Sequence, residues 1–142
     1  MEIREILNEK GRDVLSISSD ASIADIALMM KERKVGALMV EDSGVLKGIV
    51  TERDIVIILG ETGGDLRGLE VSDIMVSSEN LMVAEPDDLS DHVMAVMIQK
   101  GIRHMPIIES GAIVGVISIR DVVKAHVKQL KAQAHFLSEF IE

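Results

Sequence analysis

The chain has no cysteine, no tryptophan and no tyrosine, and each absence removes a class of chemistry. Without cysteine there is no disulfide, no thiolate nucleophile and no cysteine-rich zinc site. Phe136 and Phe140 are its only phenylalanines, so the stacking platforms that hold single-stranded nucleic acid are missing, and a bound nucleobase has to lie between aliphatic side chains. Basic charge is scarce as well. Against 24 Asp and Glu stand 15 Lys and Arg, a net charge of -9, which argues against a nucleic-acid partner because a phosphate backbone is gripped by clustered Lys and Arg. Local basic spots remain able to hold one small anion. Apolar runs such as Ile55 to Leu59 fall far short of the roughly 18 residues of a membrane span. The opening MEIREILNEK mixes Glu, Arg and Lys into a stretch that a secretory signal would keep apolar. Together these features predict a cytoplasmic protein with no membrane partner. There is no G-x-S-x-G elbow, no G-x-x-x-x-G-K-[ST] loop and no H-x-x-x-H pair among His92, His104, His126 and His135. Acyl transfer, nucleotide hydrolysis and metal catalysis are left without machinery, so the expectation is a protein that is not an enzyme and requires no metal or cofactor.

What is present is a repeat. The 142 residues, 47% of them hydrophobic, suit one module with a real core. Within it GIVTERDI at 48 to 55 is echoed by GVISIRDV at 115 to 122. The match extends over Val35 to Ile55 and Ile102 to Val122 at a constant offset of 67, with Gly44 over Gly111, Gly48 over Gly115, Arg53 over Arg120 and Asp54 over Asp121. Upstream, EIREIL at 2 to 7 resembles EVSDIM at 70 to 75, as though each half opened with the same lead-in.

In the first half, apolar spacing predicts a strand near Val14 to Ile17 and a helix from about Ser22. Next come β-prone runs at Ala37 to Val40 and Leu46 to Val50 around a turn at Asp42, Ser43 and Gly44, then a helix from Thr51. The second half repeats the order: a strand at Leu81 to Val83, a helix from about Asp88 to Lys100, a hairpin through ESG at 109 to 111, and a helix from Ser118. The expected fold is therefore α/β (α+β), two tandem β-α-β-β-α repeats with a short N-terminal segment and an extended C-terminal helix. The expected boundaries are 8–60 for the first repeat, 61–75 for linker and lead-in, 76–130 for the second repeat and 131–142 for the helical extension. GETGGDLRG at 60 to 68, with four glycines, is the linker candidate. A unit of about 60 residues buries only about 60% of its unfolded surface, so the halves are expected to pack together with pseudo-twofold symmetry around a groove.

The repeated octapeptide supports two readings. Thr51 with Asp54, and Ser118 with Asp121, have the spacing of a capping box that closes a helix start. The same position joins a buried strand to a helix, where free amides and the dipole favour an anion. Arg53 and Arg120 precede the aspartates; Arg grips phosphate bidentately, and an ionised Asp accepts hydrogen bonds from paired hydroxyls such as those of ribose. The plainer alternative makes both arginines solvated surface residues.

The doubled unit, its G-h-h-[TS]-x-x-D endings and GIRHMPI at 101 to 107 resemble a pair of CBS domains, from Val14 to about Leu130, of the kind found as small stand-alone proteins. The resemblance implies an adenosine-containing ligand (AMP, ADP, ATP, NADH or S-adenosylmethionine) in the cleft between the repeats, and a homodimer. It also implies that Asp54 and Asp121 hold ribose hydroxyls, with Thr51, Ser118, Arg53 and Arg120 near ribose or phosphate. Arg103 and His104 match positions that reach phosphate, with Met105 and Pro106 beside them. Where the second repeat has Arg103, His104 and Pro106, the first has Gly36, Ala37 and Met39, so the second should hold phosphate better. The imidazole of His104, with an ordinary pKa of about 6.5, would make its share pH-dependent.

Met29, Met30, Met94 and Met97 read as flexible core packing. In the C-terminal helix, Val123, Val127, Leu130, Ala134, Leu137 and Ile141 draw one apolar stripe. It has three candidate mates: the N-terminal segment with Ile3, Ile6 and Leu7, a second copy of the chain, or another protein. Two functions stand from this sequence: a nucleotide-binding regulatory module that senses energy or metabolite state for a protein partner, and a constitutive dimeric scaffold with vestigial sites.

Overall fold

The computed structural model describes residues 1–141. In chain order its elements are α1 (Ile3–Lys10), β1 (Ser16–Ile17), α2 (Ile23–Arg33), β2 (Ala37–Asp42), β3 (Val45–Thr51), α3 (Glu52–Thr62), α4 (Val71–Ile74), β4 (Val76–Ser77), a 3-10 turn at Ser78–Asn80, α5 (Ser90–Lys100), β5 (His104–Glu109), β6 (Ala112–Ser118) and α6 (Ile119–Ile141). They fall into two units. One is Val14–Leu81, here the first-repeat unit; the other joins Met1–Asp13 to the chain from Met82 onward, the second-repeat unit.

In the first-repeat unit the strands form a sheet in the order β1-β2-β3-β4, with β1 parallel to β2 and the other neighbours antiparallel. Ser43 and Gly44 both take positive φ, 50° and 79°. That is the left-handed pair a tight hairpin needs if its turn is to follow the twist of the strands. Helix α2 starts where the Ser22 hydroxyl accepts from the Asp25 amide at 3.1 Å. Its residues Ile23, Ile26 and Met30, at helical spacing, are buried with Leu38, Val40, Val50 and Val71. The expected linker begins later than its first glycine. Helix α3 continues through Gly60 to Thr62, whose hydroxyl donates to the Ile58 carbonyl at 2.7 Å. Gly60 is unfavourable there by only about 1 kcal/mol relative to Ala, which the half-buried Ile55 and Ile58 on the same helix offset.

The second-repeat unit repeats the hairpin, with Ser110 and Gly111 at φ 52° and 78°. Its first strand differs from expectation: Leu81 to Val83 form no strand, and a single parallel bridge, Ala84 to Ile107, is left. Proline explains the loss. In the first-repeat unit the Met39 amide donates to the Leu15 carbonyl at 2.9 Å. At the offset of 67 the corresponding donor is Pro106, which has no N–H to give.

The lead-ins change places. Ile3, Ile6 and Leu7 of α1 are buried with Ala84, Val93, Met97, Met105, Ile107, Ile117 and Val122, all of the second repeat. Val71 of α4 is buried with the first. Each large aliphatic side chain so buried contributes roughly 1.5–3 kcal/mol, which is the force that holds α1 there. Main-chain bonds from Ile3 to the Asp88 carbonyl and from Arg4 to the Pro86 carbonyl, both 2.9 Å, fix its start. Along α6 only Val122 is buried. The apolar stripe farther on is uncovered, with Leu130 62% and Phe140 80% exposed, and Phe136 stacks on Phe140 with ring centres 6.2 Å apart. The N-terminal segment meets α6 at Val122 and Ala125, off that stripe, whose own first residues Val123 and Val127 are exposed as well. Residue 142, the end of the expected extension, lies outside the described residues.

Candidate functional site

In the first-repeat unit β3 runs straight into α3, and Thr51 is the hinge, still extended at φ -121°. Its amide donates to Asp54 Oδ2 at 2.9 Å, its hydroxyl donates to the same oxygen at 3.1 Å, and the Asp54 amide donates to Thr51 Oγ1 at 3.4 Å. The capping box is thus real, and the Thr51 hydroxyl commits its one proton to it. The Glu52 amide donates to the Gly36 carbonyl at 3.0 Å, which ties the start of β2 to the helix entrance. Arg53 is exposed beside this turn, and Asp54 is half-buried.

The second-repeat unit builds the same entrance at β6 and α6. The Ser118 amide donates to Asp121 Oδ2 at 2.8 Å and the Asp121 amide donates to Ser118 Oγ at 3.1 Å. The Ile119 amide donates to the Arg103 carbonyl at 2.8 Å, so Arg103 is anchored by its backbone at the helix start. Its side chain and that of Arg120 are exposed, while His104, paired with Ser118 across the hairpin, is half-buried. Met105 is 2% exposed and belongs to the core; Pro106 is buried next to it. Within this unit the fold gathers Arg103, His104, Ser118, Arg120 and Asp121, and within the other it gathers Thr51, Arg53 and Asp54.

One residue at the second entrance escaped the sequence reading. Lys10, the last residue of α1, places Nζ 2.7 Å from Asp121 Oδ2 and also donates to the Val116 carbonyl. Burial, the largest single influence on Asp121, pushes its pKa up. The Lys10 hydrogen bond, the Ser118 amide, the charge of Lys10 and the Ser118 hydroxyl together outweigh it and hold the carboxyl below its ordinary value. At the offset of 68 that aligns the two lead-ins the counterpart of Lys10 is Ser78, and β4, ending just before it, occupies that edge: Gly48 pairs with Ser77 and Ile49 with Val76. One unit closes the edge of its hairpin with a strand, the other with a lysine. The only sequence signal for this was the helical charge pattern continuing to Lys10 where the second lead-in breaks off.

Chemically, each entrance offers a carboxylate whose Oδ2 is committed to the cap, so Oδ1 is the oxygen that can accept from a ligand hydroxyl. Exposed guanidinium groups stand nearby for an anion. Of the other histidines, His126 lies 3.3 Å from the Ser90 hydroxyl and 3.0 Å from Asp91, and His135 lies 3.1 Å from Glu139. Among the described residues no three His, Asp or Glu are grouped as a metal would require, and no helix is long and apolar enough to cross a membrane.

Comparison with known proteins places these features in context. The family model described as "CBS domain" matches residues 3–61 and 71–128. The mitochondrial CBS domain-containing protein CBSX3 of Arabidopsis thaliana is 30% identical over 147 aligned positions, covering 99% of this chain and 71% of that protein. The crystal structure of the CBS-domain containing protein ATU1752 from Agrobacterium tumefaciens superposes with a TM-score of 0.84 at 36% identity, over 89% of this chain and 99% of that one. A more distant fold match, TM-score 0.78 at 23% identity over 91% and 98%, is the CBS domain pair of protein MJ0100 in complex with 5-methylthioadenosine and S-adenosyl-L-methionine.

Proposed function

The chain belongs to the CBS-domain family, and from that premise we propose that it is a regulatory module, not an enzyme, that binds an adenosine-containing ligand and reports its occupancy to a protein partner. The observation that carries the reading is the duplicated helix entrance. Twice, a capping aspartate commits Oδ2 to its cap and leaves Oδ1 outside it, with an arginine adjacent in the chain. Asp54 and Asp121 accept from ribose hydroxyls through Oδ1. Arg53, Arg103, Arg120 and His104 serve a phosphate when the ligand has one, and Thr51 and Ser118 hold the aspartates in place. The adenosyl compounds bound to the CBS pair of MJ0100 support the ligand class at the level of the fold. AMP, ADP, ATP and S-adenosylmethionine are the candidates.

Occupancy transmits a signal only so far as the ligand prefers one of two conformations of the protein. The uncovered stripe of α6, with Leu130 and Leu137 exposed, favours a second copy of the chain as the structure through which that preference is expressed.

Calorimetric titration with each candidate tests the binding claim. A hydrogen bond to a charged group is worth about 1.5–3 kcal/mol, so Asp121→Ala is expected to lower affinity about tenfold or more, with the far-ultraviolet spectrum unchanged. Unaltered affinity in Asp121→Ala and Asp54→Ala alike, or no heat with any adenosyl compound, overturns the reading.

A further inference from the structure

Resting on that adenosyl-binding reading, we propose that Lys10 determines the charge class of ligand taken at the Asp121 entrance, admitting a phosphorylated nucleoside there. The Asp54 entrance, without such a lysine, is the one suited to an uncharged or cationic adenosyl compound.

A carboxylate that holds a ribose puts a full negative charge against the sugar, and a 5′-phosphate brings between one and two more at neutral pH. At separations of several ångströms in a partly solvated site their repulsion weakens binding on the order of tenfold. At the second entrance that penalty is removed in advance. Lys10 Nζ lies 2.7 Å from Asp121 Oδ2, the pair sums to zero, and the Ser118 amide also lands on Oδ2, leaving Oδ1 to the sugar. The ammonium also lies on the order of one Debye length, about 8 Å at physiological salt, from the 5′-phosphate of a nucleoside whose ribose is held there.

Lys10 is not a loose surface chain that happens to fall near an acid. Its helix is fixed by the buried Ile3, Ile6 and Leu7, and its Nζ is held a second time by the Val116 carbonyl. The first-repeat unit has no counterpart. There β4 fills the edge, and among the described residues Asp54 receives side-chain and backbone bonds from Thr51 only. The neighbouring positions lean the same way, with Arg103 at the second entrance where Gly36 stands at the first.

The test isolates the Asp121 entrance by working in full-length Asp54→Ala protein and titrating adenosine and AMP separately. Lys10→Met, which keeps the aliphatic stem and removes the charge, is expected to weaken AMP about tenfold and to leave adenosine within about twofold; Lys10→Arg should keep AMP within about threefold. Equal losses for both ligands, no change for either, or tighter AMP binding in Lys10→Met overturns the proposal. A parent that binds neither ligand while the unmutated chain binds one also overturns the proposal; an unmutated chain that binds neither, or a parent whose binding is unchanged on adding Asp121→Ala, defeats the adenosyl reading itself.

Discussion

Replacing Gly48 with alanine drives a methyl group into the carbonyl oxygen of Val76, with Met75 Sδ at 2.9 Å and the Val76 carbonyl carbon at 3.2 Å. The obstacle is main chain, so it moves only if β4 moves, and β4 is held to β3 by the two residue pairs Gly48–Ser77 and Ile49–Val76. Giving up that pairing forfeits roughly two backbone hydrogen bonds at about 1 kcal/mol each; keeping it means overpacking at about 1–3 kcal/mol. Either way Gly48→Ala costs about 2 kcal/mol before the lower unfolded-state entropy of alanine is credited. Its repeat equivalent behaves differently. At Gly115 the new methyl meets Leu7 Cδ2 at 2.6 Å, while Leu7 Cδ1 and Cγ stay at 3.5 and 3.6 Å. One rotation of a buried side chain relieves the clash for about 0.5–1.5 kcal/mol. The lower unfolded-state entropy of alanine returns about 0.4–1 kcal/mol, so Gly115→Ala should come out near neutral, within about 1 kcal/mol. The entropy return applies to both glycines alike, and for a chain of this length 1 kcal/mol corresponds to roughly 2–4 °C in Tm, so the two variants should melt about 2–4 °C apart. Because the chain has no Trp or Tyr, the assay is far-ultraviolet circular dichroism rather than fluorescence. If Gly115→Ala melts as low as Gly48→Ala, the distinction between yielding side chain and unyielding backbone is wrong.

Acid should expose the Lys10–Asp121 pair. The folded-state pKa of Asp121 is depressed, so its contribution is complete above the ordinary aspartate value of about 3.9 and disappears as pH falls through the lower folded value. The Tm deficit of Lys10→Met relative to the unmutated chain is therefore expected to be constant from pH 7 to about 5 and to shrink below about pH 3.5; a deficit that grows on acidification contradicts the assignment. Among the described residues, truncation after Leu130 removes only exposed side chains, so the melting temperature of the monomer should stay within about 2 °C. If sedimentation shows the truncated chain still dimeric, the outer stripe of α6 is not the dimer seam.

Local chemistry was readable from the residues. Ser43–Gly44 and Ser110–Gly111 announced both hairpins because few residue pairs accept two successive positive φ angles. Thr51 and Ser118 announced helix starts because the box needs a hydroxyl and a carboxylate three residues apart. The shortened strand before Ala84 was encoded in Pro106, but the missing amide has meaning only when Leu15 and Met39 supply the intact version. Distance in sequence hid the rest. Ile3, Ile6 and Leu7 state that one face of α1 must be buried, and nothing in their spacing says that Val93, Ile117 and Val122 will bury it. Lys10 was invisible as a site residue for the same reason: its partner Asp121 becomes a neighbour only once that packing is made.

The exchange of lead-ins imposes a timetable on synthesis. When the ribosome has released Leu81, everything the first-repeat unit requires has emerged, and it is free to close. Helix α1, made before any of it, must wait for Val122, on the order of ten seconds at 5–20 residues per second. Eight residues do not keep a helix alone in water. During that interval its three apolar side chains stay uncovered, and residues from Ala84 to Val122, made long after them, are what finally bury them.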